Sequence, residues 1–246
     1  MASPGANDHR PLVVFESCVE SFDAALASAA GGASRIELCA RLDVGGTTPS
    51  AVLVARCAAE LGIPVFVMVR PRGGNHLYTH RDALALAREV RAMKDAGAHG
   101  IVCGALTARG AVDMPLMRRL IDAARPLPVT GHKAVDEARS LSEALDALLA
   151  LGVDRVLTSG GAPTAAQGAG AIGALVRQAG DALTVMAGGG LRAHNVADLV
   201  RATSVTEVHA RLLPTGGAPS PAAAGSWRMA IAAFVRALPG PAASGP

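Results

Sequence analysis

A strict alternation constrains this chain more than any other feature: short β-branched runs alternate with Ala- and Leu-rich stretches of helical period from end to end. The runs at 12–17, 35–39, 64–70, 99–103, 128–132, 154–159, 183–186 and 205–209 read as strands. Amphipathic helices are predicted from about residues 21, 49, 81, 113, 140, 165 and 193. In 140–151, for instance, Leu141, Leu145, Leu148 and Leu149 share one face. Strand-then-helix order calls for parallel strands joined by right-handed crossovers. Eight strands spaced roughly 22 to 35 residues apart match a closed (β/α)8 barrel of TIM type, an α/β fold, better than an open doubly wound sheet. No GxGxxG follows the first strand, which argues against a dinucleotide-binding sheet.

A length of 246 residues suits one such domain. The barrel is expected at 12–238, between disordered ends at 1–11 and 239–246. A Pro/Gly/Ala/Ser-rich connector at 214–225 leads to a last helix in which Trp227, Ile231, Phe234 and Leu238 share a face. Half of the residues are hydrophobic but only 2% are aromatic, and a formal net charge of +3 is spread along the chain, so no nucleic-acid partner is expected. Residues 1–11 lack the apolar centre of a secretory signal. No uninterrupted apolar run reaches the ~20 residues that span a bilayer, so no membrane partner is expected. Cys18, Cys39, Cys57 and Cys103 are then expected to be thiols in a reducing cytosol, which gives a cytoplasmic location.

In a barrel of this kind, side chains at the C-terminal ends of the strands form the functional mouth. The first strand ends Glu16-Ser17-Cys18 and the second ends Glu37-Leu38-Cys39, so a Glu-x-Cys pattern recurs on neighbouring strands. Alternation of period two sets Glu16 and Cys18 against Val13 and Phe15, and Glu37 and Cys39 against Ile36 and Leu38. With the apolar sets facing outer helices, both Glu-Cys pairs face the interior. Strands lie about 4.8 Å apart, so two inward cysteines at matching heights can converge on one soft ion. Two thiolates without obvious further ligands suit Cu(I). The competing reading makes both of them small core residues. Cys57 and Cys103 are expected to be packing residues, with Cys103 a candidate extra ligand.

Other strand ends carry charge. Arg70-Pro71-Arg72-Gly73-Gly74 can clamp an anion, with Arg70 expected to neutralise Glu16 or Glu37 and Arg72 to reach solvent or ligand. His132 and Lys133, with Asp136 just beyond, can supply proton transfer, a Schiff base or an internal counter-charge. Ser159-Gly160-Gly161 and Gly188-Gly189-Gly190 follow late strands, where phosphates bind in this architecture. Glu207 and His209 share a face at the end of strand eight, and His76 and His80 are expected in a solvated loop.

Taken together, these stretches resemble the CutC family. The resemblance is carried by Ala33-Ser34-Arg35-Ile36-Glu37-Leu38-Cys39, Gly45-Gly46-Thr47-Thr48-Pro49-Ser50, Met68-Val69-Arg70-Pro71-Arg72-Gly73-Gly74, Gly152-Val153-Asp154-Arg155-Val156 and Glu207-Val208-His209, in family order. It implies a (β/α)8 barrel, a cytoplasmic homo-oligomer (dimer or tetramer), a part in copper homeostasis, and Cu(I) held by Cys18 and Cys39 as a metal partner. The chain departs from the family pattern at Arg41, Val44, Gly131, Lys133 and Ala187, all at the expected mouth. The alternative function is an enzyme acting on a small anionic or phosphorylated metabolite. It would gather Arg70, Arg72, Lys133, Ser159 and Gly188 to Gly190 on one face, with Glu16, Glu37, His132 or Lys133 as acid or base. No set of residues resembles a catalytic triad or a three-ligand catalytic zinc site, so no catalytic residue is assigned.

Overall fold

A computed structural model describes residues 13–212 and 221–240. The ends at 1–12 and 241–246, and the stretch at 213–220 within the connector, lie outside the described residues. Eight parallel strands close into a barrel in sequence order: β1 (Val14–Val19), β2 (Arg35–Leu38), β3 (Val65–Met68), β4 (Gly100–Cys103), β5 (Val129–Gly131), β6 (Arg155–Thr158), β7 (Thr184–Gly188) and β8 (Glu207–Ala210). The helices α1 (Phe22–Ala30), α2 (Ala51–Glu60), α3 (His80–Asp95), α4 (Met114–Ala124), α5 (Leu141–Leu151), α6 (Ala169–Ala179), α7 (Val196–Thr203) and α8 (Pro221–Arg236) alternate with them. The alternation legible in the sequence is thus the architecture. The last helix starts at Pro221, so the connector ends earlier than its composition suggests.

Local chemistry starts the helices. Ser21, Ser50, Asp113 and Ser140 each accept a hydrogen bond from a backbone N–H three residues on, and Thr79 and Asp82 form a reciprocal capping box. α6 and α7 begin later than predicted, and neither has a side-chain cap.

Strand parity then divides the core. Phe15, Ile36, Leu38, Val65, Val67, Ile101, Cys103, Val129, Val156 and Val208 face outward and pack with the helices. Phe15 meets Phe234 of α8 at a ring-centroid distance of 4.5 Å, so α8 seals the barrel where the chain closes. Gly31 lies so close to Ile231 that a Cβ there would sit 2.6 Å from it. Inside, Cys18, Cys39, Leu42, Phe66, Met68 and Val102 form a separate buried cluster. No helix among the described residues is long and apolar enough to cross a membrane.

Candidate metal and ligand site

β1 and β2 run in a register that sets Glu16 opposite Arg35 and Cys18 opposite Glu37. Cys39 therefore stands two residues further along than the partner of Cys18, and the two cysteines are not at matching heights. Barrel stagger explains the offset. The side chains close the gap: Cys18 Sγ, Cys39 Sγ and a Glu37 carboxylate oxygen all lie within 4.8 Å of one another, and all three residues are buried. The chain beyond Cys39 turns back over it through Gly46, whose φ of +88° is a left-handed conformation, and a Cβ there would sit 3.2 Å from Cys39 Sγ.

The two thiols differ. A hydrogen bond from Cys39 pulls the Cys18 thiol down to about 5 against the effect of burial, and His209 assists. The same bond, with burial, pushes the Cys39 thiol well above its ordinary range. Burial, then the neighbouring Cys18, also raises Glu37. One sulfur is thus a ready thiolate and the other its donor. Two soft sulfurs and one oxygen donor make a set that fits a low-coordinate soft ion. Cys57 and Cys103 are buried elsewhere, and burial pushes their thiols up to about 11 and about 12. Cys103 faces outward into the helix-packed core, so it is not an extra ligand.

Beneath the cysteines lies a buried charged floor. Glu16 accepts from Arg35 Nε at 2.5 Å and meets His209 Nδ1 at 2.9 Å. Glu207 takes Arg35 Nη2 at 2.6 Å and Arg155 Nε at 2.5 Å. Both guanidinium groups stack on the Phe66 ring, at 4.8 and 5.3 Å. Burial would raise Glu16, yet His209 and Arg35 outweigh it and hold the carboxyl at about 2. Burial would likewise lower His209, but Glu37, Cys18 and Glu16 keep it well above its usual range.

Arg70 was expected to provide this neutralisation and does not. Its Nη1 donates to the carbonyls of Val44 and Gly46, and its Nη2 donates to that of Gly74. The sequence reading missed Arg35 and Arg155, although Arg35 shares the inward parity of Glu37.

Above the floor a cavity of about 470 Å³ opens to the mouth, lined by Cys18, Glu37, Cys39, Arg70, His76, His132, Lys133, Ser159 and His209 among others. His76 is buried rather than solvated, and its ring meets that of His132 at 4.8 Å. His80 is solvent-exposed, but it opens α3 rather than lying in a loop. His132 accepts the Ala134 N–H on Nδ1, so its proton sits on Nε2. Lys133 Nζ bonds Ser159 Oγ at 2.9 Å and lies 3.5 Å from Asp136, as a counter-charge at the rim.

The phosphate seat read after β6 is already filled. Asp136 accepts from the N–H groups of Ser159 and Gly161, filling the position an anion would take after β6. Gly188, Gly189 and Gly190 do not line the cavity. Asn195 closes their loop by donating to the Gly190 carbonyl. Arg72 is exposed and braces its own loop through the carbonyls of Asn75 and Leu77.

The chain matches the model of the CutC family over residues 13–213. A family protein CutC of Caulobacter vibrioides is 43% identical over 211 residues, covering 86% of this chain and 84% of the relative. The human copper homeostasis protein cutC homolog is 43% identical over 196 residues, covering 80% and 72%. The crystal structure of a CutC protein from Streptococcus agalactiae superposes with a TM-score of 0.76 at 31% identity, covering 80% of this chain and 97% of that one. Phosphoribosylanthranilate isomerase of Pyrococcus furiosus, at 13% identity and a TM-score of 0.57, shares the fold alone.

Proposed function

The chain belongs to the CutC family, and on that premise we propose that it is a cytosolic copper homeostasis protein that binds Cu(I) through Cys18 and Cys39. The observation that carries this reading is the convergence of both sulfurs and the Glu37 carboxylate within 4.8 Å at the bottom of an open cavity. Cys18 supplies a thiolate at neutral pH, and Cys39 releases its proton when the ion replaces the hydrogen bond between them. Soft sulfur donors in so small a number select Cu(I) over Zn(II), which prefers four ligands. The name of the human relative points to the same metal. Four unpaired, buried cysteines are compatible with a reducing compartment. The assembly expected from the family, a homodimer or homotetramer, is read by light scattering.

The test is an anaerobic titration of the reduced protein with Cu(I) against a colorimetric competitor. Wild type is expected to take about one ion per chain, because one pair of converging thiols is available. The Cys18→Ser/Cys39→Ser variant is expected to lose that binding while Cys103→Ser retains it. Unchanged affinity in the double variant overturns the assignment.

A further inference from the structure

We propose that Cys18 and Cys39 are spaced to grip an ion but not to close into a disulfide, and that oxidation by a small disulfide stops at a mixed disulfide on Cys18. The strand register carries the first half. Cys18 is level with Glu37, so Cys39 stands two residues further along. The Cys39 N–H donates to the Val19 carbonyl at 2.9 Å, so the ladder runs on past Leu38 and no bulge takes up the offset. Two residues rise about 6.6 Å and neighbouring strands lie about 4.8 Å apart, which sets the two Cα atoms about 8 Å apart. A disulfide spans Cα atoms up to ~7 Å apart. Bringing the cysteines within that reach means sliding β2 along β1, and β2 is also paired with β3 on its other edge in a closed barrel.

An ion asks for less. Two metal–thiolate bonds of the length zinc makes, ~2.3 Å each, reach across about 4.6 Å. The two sulfurs lie within 4.8 Å of one another. The same offset thus permits a bridging ion and forbids the covalent bridge.

The surroundings then separate the two sulfurs. Both cysteines line the cavity of about 470 Å³, which has room for a small thiol. Cys39 is 1% exposed and lies under the turn at Gly46, whereas Cys18 is 5% exposed. Cys39 also spends its S–H in the hydrogen bond to Cys18, so Cys18 is the sulfur that attacks. The Cys18 sulfur bonds to one sulfur of the incoming disulfide, the S–S bond of the oxidant breaks, and its other half leaves as a thiol with the Cys18 proton. Cys18 is oxidised and the departing half is reduced, so the step needs no further electron carrier. A well-placed second thiol would next attack Cys18 and release the attached half, and the Cα separation denies Cys39 that step. Cys57 and Cys103 are buried outside the cavity and do not react. One consequence rests on the metal reading above: the adduct takes the ion's place, so the thiol–disulfide balance of the surroundings sets how much of the protein can hold copper.

The experiment treats the reduced, metal-free full chain with excess cystamine and follows it by intact mass and peptide mapping. One cysteamine per chain is expected, on Cys18, removed completely by dithiothreitol. Cys39→Ser should take up the adduct to the same extent, because Cys39 has no part in the step, and Cys18→Ser should take up none. A wild-type chain that loses two hydrogens and yields a Cys18–Cys39 cross-linked peptide overturns the proposal. So does an unreacted chain, or an adduct mapped to Cys39, Cys57 or Cys103. Cu(I) titration before and after treatment reads the consequence: the adduct should abolish uptake until it is reduced, and undiminished uptake by the adduct overturns the switch. Mass reports the adduct without copper, so a wild type that binds no Cu(I) sinks the metal reading and leaves the mixed disulfide standing.

Discussion

His132 is held neutral in a site where burial, with the charges of His76 and Arg70, pushes its pKa from 6.5 down to about 3. Between those values the unfolded chain binds about one more proton than the folded one. Stability therefore rises with pH: the contribution is complete above 6.5 and is lost as pH falls towards 3. Between pH ~6 and ~4 the unfolding free energy of wild type should fall more steeply than that of His132→Asn, by up to about 1.4 kcal/mol per pH unit. Equal slopes in urea titrations would show that His132 is not the buried neutral group. Arg35 makes a complementary case. It bridges Glu16 and Glu207 under the cysteines, so Arg35→Met strands two buried carboxylates. A loss of about 3–5 kcal/mol is expected, measured by chemical denaturation. A cost below 1 kcal/mol would mean that His209 and Arg155 suffice as partners.

At the scale of elements, the eight strands and their inward parity were legible because a period-two pattern depends only on neighbours in sequence. That pattern put Glu16, Cys18, Glu37 and Cys39 inside, where they are found. It carried no information about stagger, so the two-residue offset between Cys18 and Cys39 came from barrel closure alone. Loops were read less well. His76 lies in a polar stretch, yet the chain folds it against His132 across 56 positions of sequence. Asp136 fills a glycine turn more than 20 residues away, so a motif that looks free for phosphate is already closed. Both errors arise from long-range contacts that local composition does not encode.

The turn after β2 offers a test in which geometry and stability separate. Gly46→Ala puts a methyl 3.2 Å from Cys39 Sγ at a φ of +88°. It should cost about 1 kcal/mol and also weaken Cu(I) binding. Thr79→Ala, which removes the capping box of α3, should cost a similar ~1 kcal/mol yet leave Cu(I) binding unchanged. If both variants lost copper equally, the loss would follow global stability rather than the turn.

For the whole molecule, the barrel places a soft-donor pair on top of a rigid charged floor and leaves room above it. The floor joins β1, β2, β6 and β8 through Glu16, Arg35, Arg155, Glu207 and His209. Cys18 and Cys39 come from the first two of those strands and share β1 and β2 with Glu16 and Arg35. Metal binding there should therefore be coupled to the cooperative unfolding of the whole barrel, rather than to the ordering of a single loop. An ion that binds the folded chain stabilises it by RT ln(1 + [L]/Kd), about 4 kcal/mol at a thousandfold excess over Kd. For a domain of this size that corresponds to a rise in Tm of up to about 8–16 °C, reduced by whatever the unfolded cysteines bind. Calorimetry of the reduced protein with and without Cu(I) should show one transition moving upward as a unit. The Cys18→Ser/Cys39→Ser variant should show a single transition that ignores copper. If copper instead split the transition in two, or raised the Tm of the double variant equally, the ion would be acting somewhere other than the junction of β1 and β2.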